Sequence, residues 1–316
     1  MKIAIHYFSG CGNTAWLIAK AQQNLLQKGH EIVFLQNIEQ PFPNEIPQTD
    51  LDIFMAPTYF FGPAPNFVSY LKRIPMVASK KAIFISVNGG VSGASKWLVA
   101  NLLKDRGYDV IASSDVKMPD TFLFLKESQK TSEERKETLQ ASLKQLDESL
   151  NALEILPPVP TYNKFKNFAF TIVYGLYYVL FRHTIGLSFV VSDVCSKCGW
   201  CAQNCPSHAI YFDGTNKPVF KTGCVGCFRC VNACPVGAID YSKYALIFGG
   251  IFALLGWFIL PILLPLGILA KIAGLFTGWF AGCYVFQKFF SKKYANADGC
   301  FKNKQRVWFS DEEKNL

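Results

Sequence analysis

The chain has 316 residues, of which 50% are hydrophobic, 15% aromatic and only 17% charged, with a mean hydropathy of +0.17 and a net charge of +9. This balance excludes a disordered, collagenous or coiled-coil protein, and the length fits two modest domains better than one core. The charge is uneven. Residues 1–156 hold 16 basic and 16 acidic side chains, whereas residues 157–316 hold 16 basic and 7 acidic ones. The basic excess flanks apolar runs and follows no nucleic-acid module, so it points to a membrane surface and away from nucleic acid.

In chain order, apolar β-rich runs at 2–8, 31–35, 52–56, 81–87 and 108–112 alternate with helical stretches at 14–28, 65–73, 95–106 and 132–153. Five strands alternating with helices predict a parallel sheet covered on both faces, an α/β domain over 1–156. The first strand opens at Met1 without the pattern of a secretory signal, so reduced thiols in a cytosolic compartment are expected. Leu139, Leu143, Leu146, Leu150 and Leu153 recur at a 4-3-4-3 spacing. Two heptads are too few for a coiled coil, so this row is expected to pack on the sheet.

A Pro-rich linker at 155–160 closes the first domain, and 157–189 holds a linker and a helix. Residues 167–181 carry no charge and are bounded by Lys164, Lys166 and Arg182. The stretch is short for a span and rich in aromatics (Phe168, Phe170, Tyr174, Tyr177, Tyr178, Phe181). It reads as an amphipathic helix at the membrane interface, with a buried packing helix as the alternative. Residues 245–270 and 272–287 are uncharged apart from the Lys271 between them, and Pro261 and Pro265 stand near the middle. A membrane-associated helical hairpin over 243–290 is expected, turning near those prolines. Lys243 flanks one end and Lys288, Lys292 and Lys293 the other, which puts both on the cytoplasmic side. A basic tail, 291–316, follows.

Eight of the eleven cysteines fall between 195 and 234. They form Cys195-x-x-Cys198-x-x-Cys201-x-x-x-Cys205-Pro206 and, again, Cys224-x-x-Cys227-x-x-Cys230-x-x-x-Cys234-Pro235. Three thiolates at three-residue intervals can wrap one face of a cubane, and a fourth after a longer gap points to a neighbouring site. Structural zinc also uses Cys-x-x-Cys pairs, but it needs neither the third cysteine, the trailing Cys-Pro, nor a second copy. Gly199, Ala202, Val225, Gly226, Ala233 and Gly237 keep the intervening backbone slim. Residues 190–242 resemble the two-cluster bacterial ferredoxin domain. The resemblance implies one [4Fe–4S] cluster on Cys195, Cys198, Cys201 and Cys234, and a second on Cys224, Cys227, Cys230 and Cys205.

Between the first strand and first helix stands Phe8-Ser9-Gly10-Cys11-Gly12-Asn13-Thr14. Short hydroxyl residues and glycines there let backbone N–H groups close around a phosphate. The loop has no lysine and does not fit G-x-G-x-x-G. It resembles the phosphate loop of the flavodoxins, with Cys11 where that family has threonine. The resemblance implies FMN, its phosphate on Ser9, Gly10, Cys11, Gly12, Asn13 and Thr14. The ring would lie between Pro57-Thr58-Tyr59-Phe60 after the third strand and Asn88-Gly89-Gly90 after the fourth.

The whole chain thus resembles a flavodoxin-like domain fused to a two-cluster ferredoxin domain. That implies an electron-transfer protein moving electrons between FMN and two [4Fe–4S] clusters, with unidentified redox proteins as partners. Two other readings stay open. One is a membrane-bound flavin and iron–sulfur oxidoreductase acting on a quinone or small substrate; the other is an iron–sulfur redox sensor. Catalytic acid–base residues are not evident, and His6, His30, His183 and His208 read as structural. Cys283 reads as a packing thiol in the hairpin, and Cys300, in a basic segment, has no physical account.

Overall fold

The computed structural model describes residues 1–43, 47–121, 131–151, 164–214, 216–264, 267–291 and 300–301. They fall into two compact units, Met1–Gly175 and Leu176–Arg306. The linker at 155–160, Leu153, Pro265 and nearly all of the basic tail lie outside the described residues.

The first unit runs β1 (Lys2–Tyr7), α1 (Asn13–Gln27), β2 (Glu31–Asn37), β3 (Leu51–Tyr59), β4 (Gly62–Pro63), α2 (Pro65–Leu71), β5 (Lys80–Asn88), α3 (Ser95–Lys104), β6 (Tyr108–Lys117), α4 (Ser132–Asn151) and α5 (Lys164–Leu176). The long strands pair in the order β2-β1-β3-β5-β6, and all of these pairs are parallel. Leaving out the two-residue β4, this is the 2-1-3-4-5 order of a flavodoxin-like doubly wound sheet. Because both faces are covered, successive strand residues enter different cores. Ile53 and Met55 pack with Ile3, Ile5, Leu17, Ile83 and Leu146 on one side, and Phe54 and Ala56 with Phe8, Phe67 and Phe84 on the other. Leu139, Leu146 and Leu150 of α4 are buried in the first of these cores and Leu143 packs against it. The leucine row is therefore a sheet-packing face.

Two strands outrun their expected ends by three residues or more. β6 continues through Ser113, Ser114 and Asp115 to Lys117, which pairs with Asn88. Polar residues at the carboxyl edge hide a strand end from a hydrophobicity reading, although the ladder bonds continue. β3 likewise runs on to Tyr59 and turns back tightly into β4, with Thr58 opposite Pro63 and Tyr59 opposite Gly62.

The second unit opens with a π-helical turn (Tyr177–Phe181), α6 (Arg182–Ile185) and a 3₁₀ turn (Gly186–Ser188). Then come β7 (Phe189–Val191), α7 (Trp200–Gln203), β8 (Ile210–Phe212), β9 (Pro218–Phe220), α8 (Arg229–Asn232) and β10 (Ile239–Ser242). The long apolar helices α9 (Lys243–Leu263) and α10 (Ile268–Val285) follow, with β11 (Cys300–Phe301) last. β7, β10 and β11 form an antiparallel sheet, and β8 pairs antiparallel with β9.

α9 and α10 are the hairpin expected from the sequence. Pro261 lies inside the last turn of α9, so the reversal falls just after it. Small residues let the two backbones approach closely: a Cβ on Gly256 would lie 1.9 Å from the Gly274 carbonyl oxygen, and one on Gly278 2.0 Å from that of Phe252. Val190, Ala245 and Phe286 share a core, so the hairpin base is continuous with the β7–β10 sheet. Ser242 caps α9 by accepting from the Tyr244 N–H at 3.3 Å.

Candidate functional site

Each half of the cysteine region is a loop, a one-turn helix and a Cys-Pro corner. The backbone repeats with the cysteines. Lys197 (φ 59°) corresponds to Gly226 (φ 68°), Gly199 (φ 80°) to Phe228 (φ 56°), and His208 (φ 50°) to Gly237 (φ 62°). Each pair couples one glycine with one residue that enters the left-handed region at a cost. Such turns aim consecutive N–H groups inward, the geometry of an anion nest. The sulfurs receive them: Ala209 N–H donates to Cys205 Sγ at 3.3 Å, Ala238 to Cys234 Sγ at 3.2 Å, and Gly226 to Cys224 Sγ at 3.4 Å.

The fold gathers the cysteines across the repeat. Cys195, Cys198, Cys201 and Cys234 line one cavity of about 330 Å³ including its open mouth, together with Trp200, Phe212, Pro218, Val236 and Ile239. Cys205 is drawn to the other copy, where it acts on the thiols of Cys224 and Cys230. Among the described residues no group of three or more His, Cys, Asp or Glu side chains is arranged to hold a single metal ion.

Electrostatics differ within each set. Burial pushes the Cys201 thiol up to about 11, reinforced by Cys195, Cys234 and Cys198 and opposed by the Ala202 N–H. Burial also raises the Cys224 and Cys230 thiols far above the free value. The Cys198 thiol is lowered by the Trp200 N–H and the Ser196 hydroxyl. Several buried sulfurs thus stay protonated unless cations replace the protons, which coordination to iron does outright. These residues fit an iron–sulfur group in position, number and chemistry.

In the first unit the predicted loops meet at the carboxyl edge of the sheet. Gly12 (φ 97°) precedes α1, whose N-terminus has no side-chain cap bond and no acidic residue in its first turn. Ser9 Oγ accepts from the Ala15 N–H at 3.1 Å, Thr14 is buried, and Gly10 and Cys11 complete the loop. Asn13 donates to the Pro119 carbonyl at 2.8 Å, while its Oδ1 is a buried acceptor without a partner. Thr58 and Ser86 hydroxyls bond at 2.8 Å, linking the carboxyl ends of β3 and β5. Asn88 donates to Asp115, Gly89 lies against Asp120, and the space around Gly90 is open. Pro57 and Tyr59 are half-buried, with Tyr59 edge-on to Phe8, and Phe60 is exposed. The loop thus offers a helix N-terminus with no acidic residue in its first turn, a buried Asn13 acceptor that a ligand hydroxyl could answer, and an exposed aromatic, which fits a ligand carrying a phosphate, hydroxyls and a flat ring.

Sequence reasoning missed how the aromatic loop is held. Phe60 (φ 49°) and Phe61 (φ 65°) are both left-handed, so the two-residue turn is type I′ built without Asn or Gly. The Ala94 N–H donates to the Phe61 carbonyl at 2.8 Å, and the Phe61 ring meets Phe170 of α5 at 5.1 Å. Tyr174 of α5 donates to the Pro63 carbonyl at 2.7 Å, and its ring occupies the space a Cβ on Gly62 would need. One face of α5 is therefore a packing face, while Phe168, Ile172 and Val173 stay exposed. The Phe-Phe pair gave no turn signal, which is why the hairpin was not legible.

Residues 194–238 match the family model described as a 4Fe-4S dicluster domain. A stretch of 57 residues of the chain is 39% identical to the Electron transport protein HydN of Escherichia coli K12. That match covers 17% of this chain and 33% of HydN, so the chain spans about a third of the length of the curated relatives it matches. Solved structures similar to part of the chain include oxidised flavodoxin 1 from Bacillus cereus, at 17% identity over 47% of this chain and 98% of that one, TM-score 0.30. Oxidised flavodoxin 2 from the same organism matches at 19% identity over 47% and 99%, TM-score 0.33. The assignment of the N-terminal fold rests on its own strand order. The chain joins a flavodoxin-like domain to a 4Fe-4S dicluster domain.

Proposed function

We propose that this chain is a membrane-anchored electron carrier, in which FMN on the flavodoxin-like domain and two [4Fe–4S] clusters exchange electrons. The observation that carries the reading is the exchange of fourth cysteines, which sets Cys234 beside Cys195, Cys198 and Cys201. Cys205 correspondingly acts on Cys224 and Cys230. Similarity of a 57-residue stretch to an electron-transport protein supports it. Cys195, Cys198, Cys201 and Cys234 would hold one cluster and Cys224, Cys227, Cys230 and Cys205 the other. The Cys230 thiol also feels Cys201, so the two sets adjoin.

On the flavin side, Ser9, Gly10, Cys11, Gly12, Asn13 and Thr14 would receive the phosphate at the N-terminus of α1. Pro57, Thr58, Tyr59 and Phe60 would flank the ring, with Asn88, Gly89 and Gly90 at its edge. When bound, FMN supplies exchange of two electrons together or one at a time, and each cluster exchanges one. The chain's own residues bind, shield and orient these groups. α9 and α10 would lie in the bilayer, with both domains and the basic ends on the cytoplasmic side.

Anaerobic purification in mild detergent, followed by iron, sulfide and flavin determination, tests the composition. About eight iron, eight sulfide and one FMN per chain are expected. Stopped-flow reduction of the clusters should then be followed by flavin reduction in the same molecule. A fully loaded chain whose flavin stays oxidised overturns the carrier reading.

A further inference from the structure

The two cysteine sets are embedded differently. In the first set Cys198 is exposed, Cys195 and Cys201 half-buried and Cys234 buried; in the second Cys224 and Cys227 are buried, Cys205 and Cys230 half-buried, and none is exposed. Exposed Val194 (64%) and Val236 (42%) stand on the first side, and the cavity there opens outward. Over the second set lies the segment that precedes the cysteine region. Tyr177, 2% exposed, donates to the Val225 carbonyl at 3.1 Å. Ile185 Cδ1 lies 3.2 Å from where a Cβ on Gly226 would be. Gly186 is pressed so closely on the loop that a Cβ there would fall 2.4 Å from the Lys221 carbonyl oxygen and 3.1 Å from Cys224 Cβ. Thr184, Leu187 and Ser188 of the same segment are buried as well.

Resting on the carrier reading, we infer that Tyr177–Ser188 is a cap that makes the two clusters unequal. The Cys224–Cys227–Cys230–Cys205 site is the low-potential, sealed one, and the Cys195–Cys198–Cys201–Cys234 site is the higher-potential port to solution. Reduction adds one negative charge to a cluster already ringed by thiolates, and a poorly solvated site disfavours added charge. Hydrogen bonds to sulfur do not reverse the order. Cys234, Cys198 and Cys201 accept backbone N–H groups in the first set, Cys224 and Cys205 in the second. They act in the same direction as burial. A single electron on the pair therefore settles at the exposed site, and exchange with a soluble partner runs through it.

The test is an EPR-monitored redox titration of the full chain in detergent, after iron and sulfide have been counted. Two one-electron waves of equal size are expected. Ile185→Ala, which lets water reach the capped set, should move the lower wave upward and leave the upper one in place. Tyr177→Phe, a gentler change, should do the same to a smaller extent. Val236→Ala, on the open side, should leave the lower wave unmoved. A soluble gadolinium complex should speed the relaxation of the upper-wave signal more than that of the lower. One unresolved wave, a cap variant that moves the upper wave or both equally, or preferential broadening of the lower signal overturns the inference while the carrier stands. Wild-type protein with about four iron or fewer overturns both.

Discussion

Asp52 is 1% exposed, at the start of the central strand β3. Burial works against its charge. It is nonetheless held below the ordinary carboxylate range by His6, by the Thr49 hydroxyl and by Lys80. Tyr108 Oη donates to it at 2.9 Å, and Lys80 Nζ stands 2.9 Å away. Removing one partner of a buried pair costs about 3–5 kcal/mol, and Lys80, 16% exposed, can still turn to water. Asp52→Asn should therefore cost the N-terminal domain about 3 kcal/mol near pH 7, read by denaturant unfolding. The sign with pH follows. A carboxyl with a lowered folded pKa stabilises above its unfolded value of about 3.9, and that contribution is lost as pH falls through the folded value. The gap between wild type and variant should close in acid; a gap independent of pH would refute the assignment. Asp52 was invisible in the sequence, where a lone acid beside a hydrophobic run looks like a strand boundary. The grouping of the eight cysteines was legible because they recur at fixed spacing within one short stretch, which matches a 4Fe-4S dicluster domain. Their unequal burial was not, since the cap comes from residues before the motif with no periodic mark.

Among the elements, the β3–β4 turn and the α9–α10 hairpin put local rules under opposite pressures. The turn keeps Phe60 and Phe61 left-handed, which costs on the order of 1–3 kcal/mol per residue. The contacts of Ala94, Phe170 and Tyr174 hold it there. Asparagine tolerates this conformation, so Phe60→Asn should leave the apoprotein as stable or up to about 1 kcal/mol more stable. The same change removes the exposed ring proposed to flank the flavin, so flavin content after gel filtration should fall. Loss of stability together with flavin would mean that the phenylalanine is structural. The hairpin shows the reverse case, in which glycine is required by proximity. Gly256 touches the facing backbone, whereas Gly250 has nothing within 4 Å of a Cβ position. Gly256→Val should lower the thermal midpoint of the detergent-solubilised protein by several degrees, and Gly250→Val should barely change it. Equal effects would exclude the close crossing. The uncharged run revealed both helices in advance, because lack of charge is a property of composition. The glycines that set their register were hidden, since a glycine in an apolar run marks a contact only once its neighbour is known.

At the scale of the whole molecule, the strongest constraint is that an antiparallel hairpin returns the chain to the side it left. α9 has 21 residues, which at 1.5 Å each span about 32 Å, close to a hydrocarbon core of about 30 Å. The stretch Ile268–Phe290 is long and apolar enough to match it. Ile251, Leu254, Phe258, Ile262, Leu269 and Phe280 lie exposed along the pair, an apolar surface that lipid would satisfy. At the base, Lys243 and Lys288 are basic, and Trp279 donates to Thr184 at 3.1 Å, within the same unit as the cysteine sets. The cluster domain is thus held at the basic end of the hairpin rather than at its turn. Positive charge is retained on the cytoplasmic face, so tags at the N- and C-termini should both be cleaved by protease in inverted vesicles and both be protected in right-side-out ones. Alkaline carbonate should not release the chain. Tags on opposite sides would require one helix to span and the other to lie along the surface. Release by carbonate would require the exposed apolar faces to be covered by protein instead. With both tags cytoplasmic, the clusters and flavin would share one compartment, where the two-electron and one-electron halves of the proposed exchange can meet the same soluble partners.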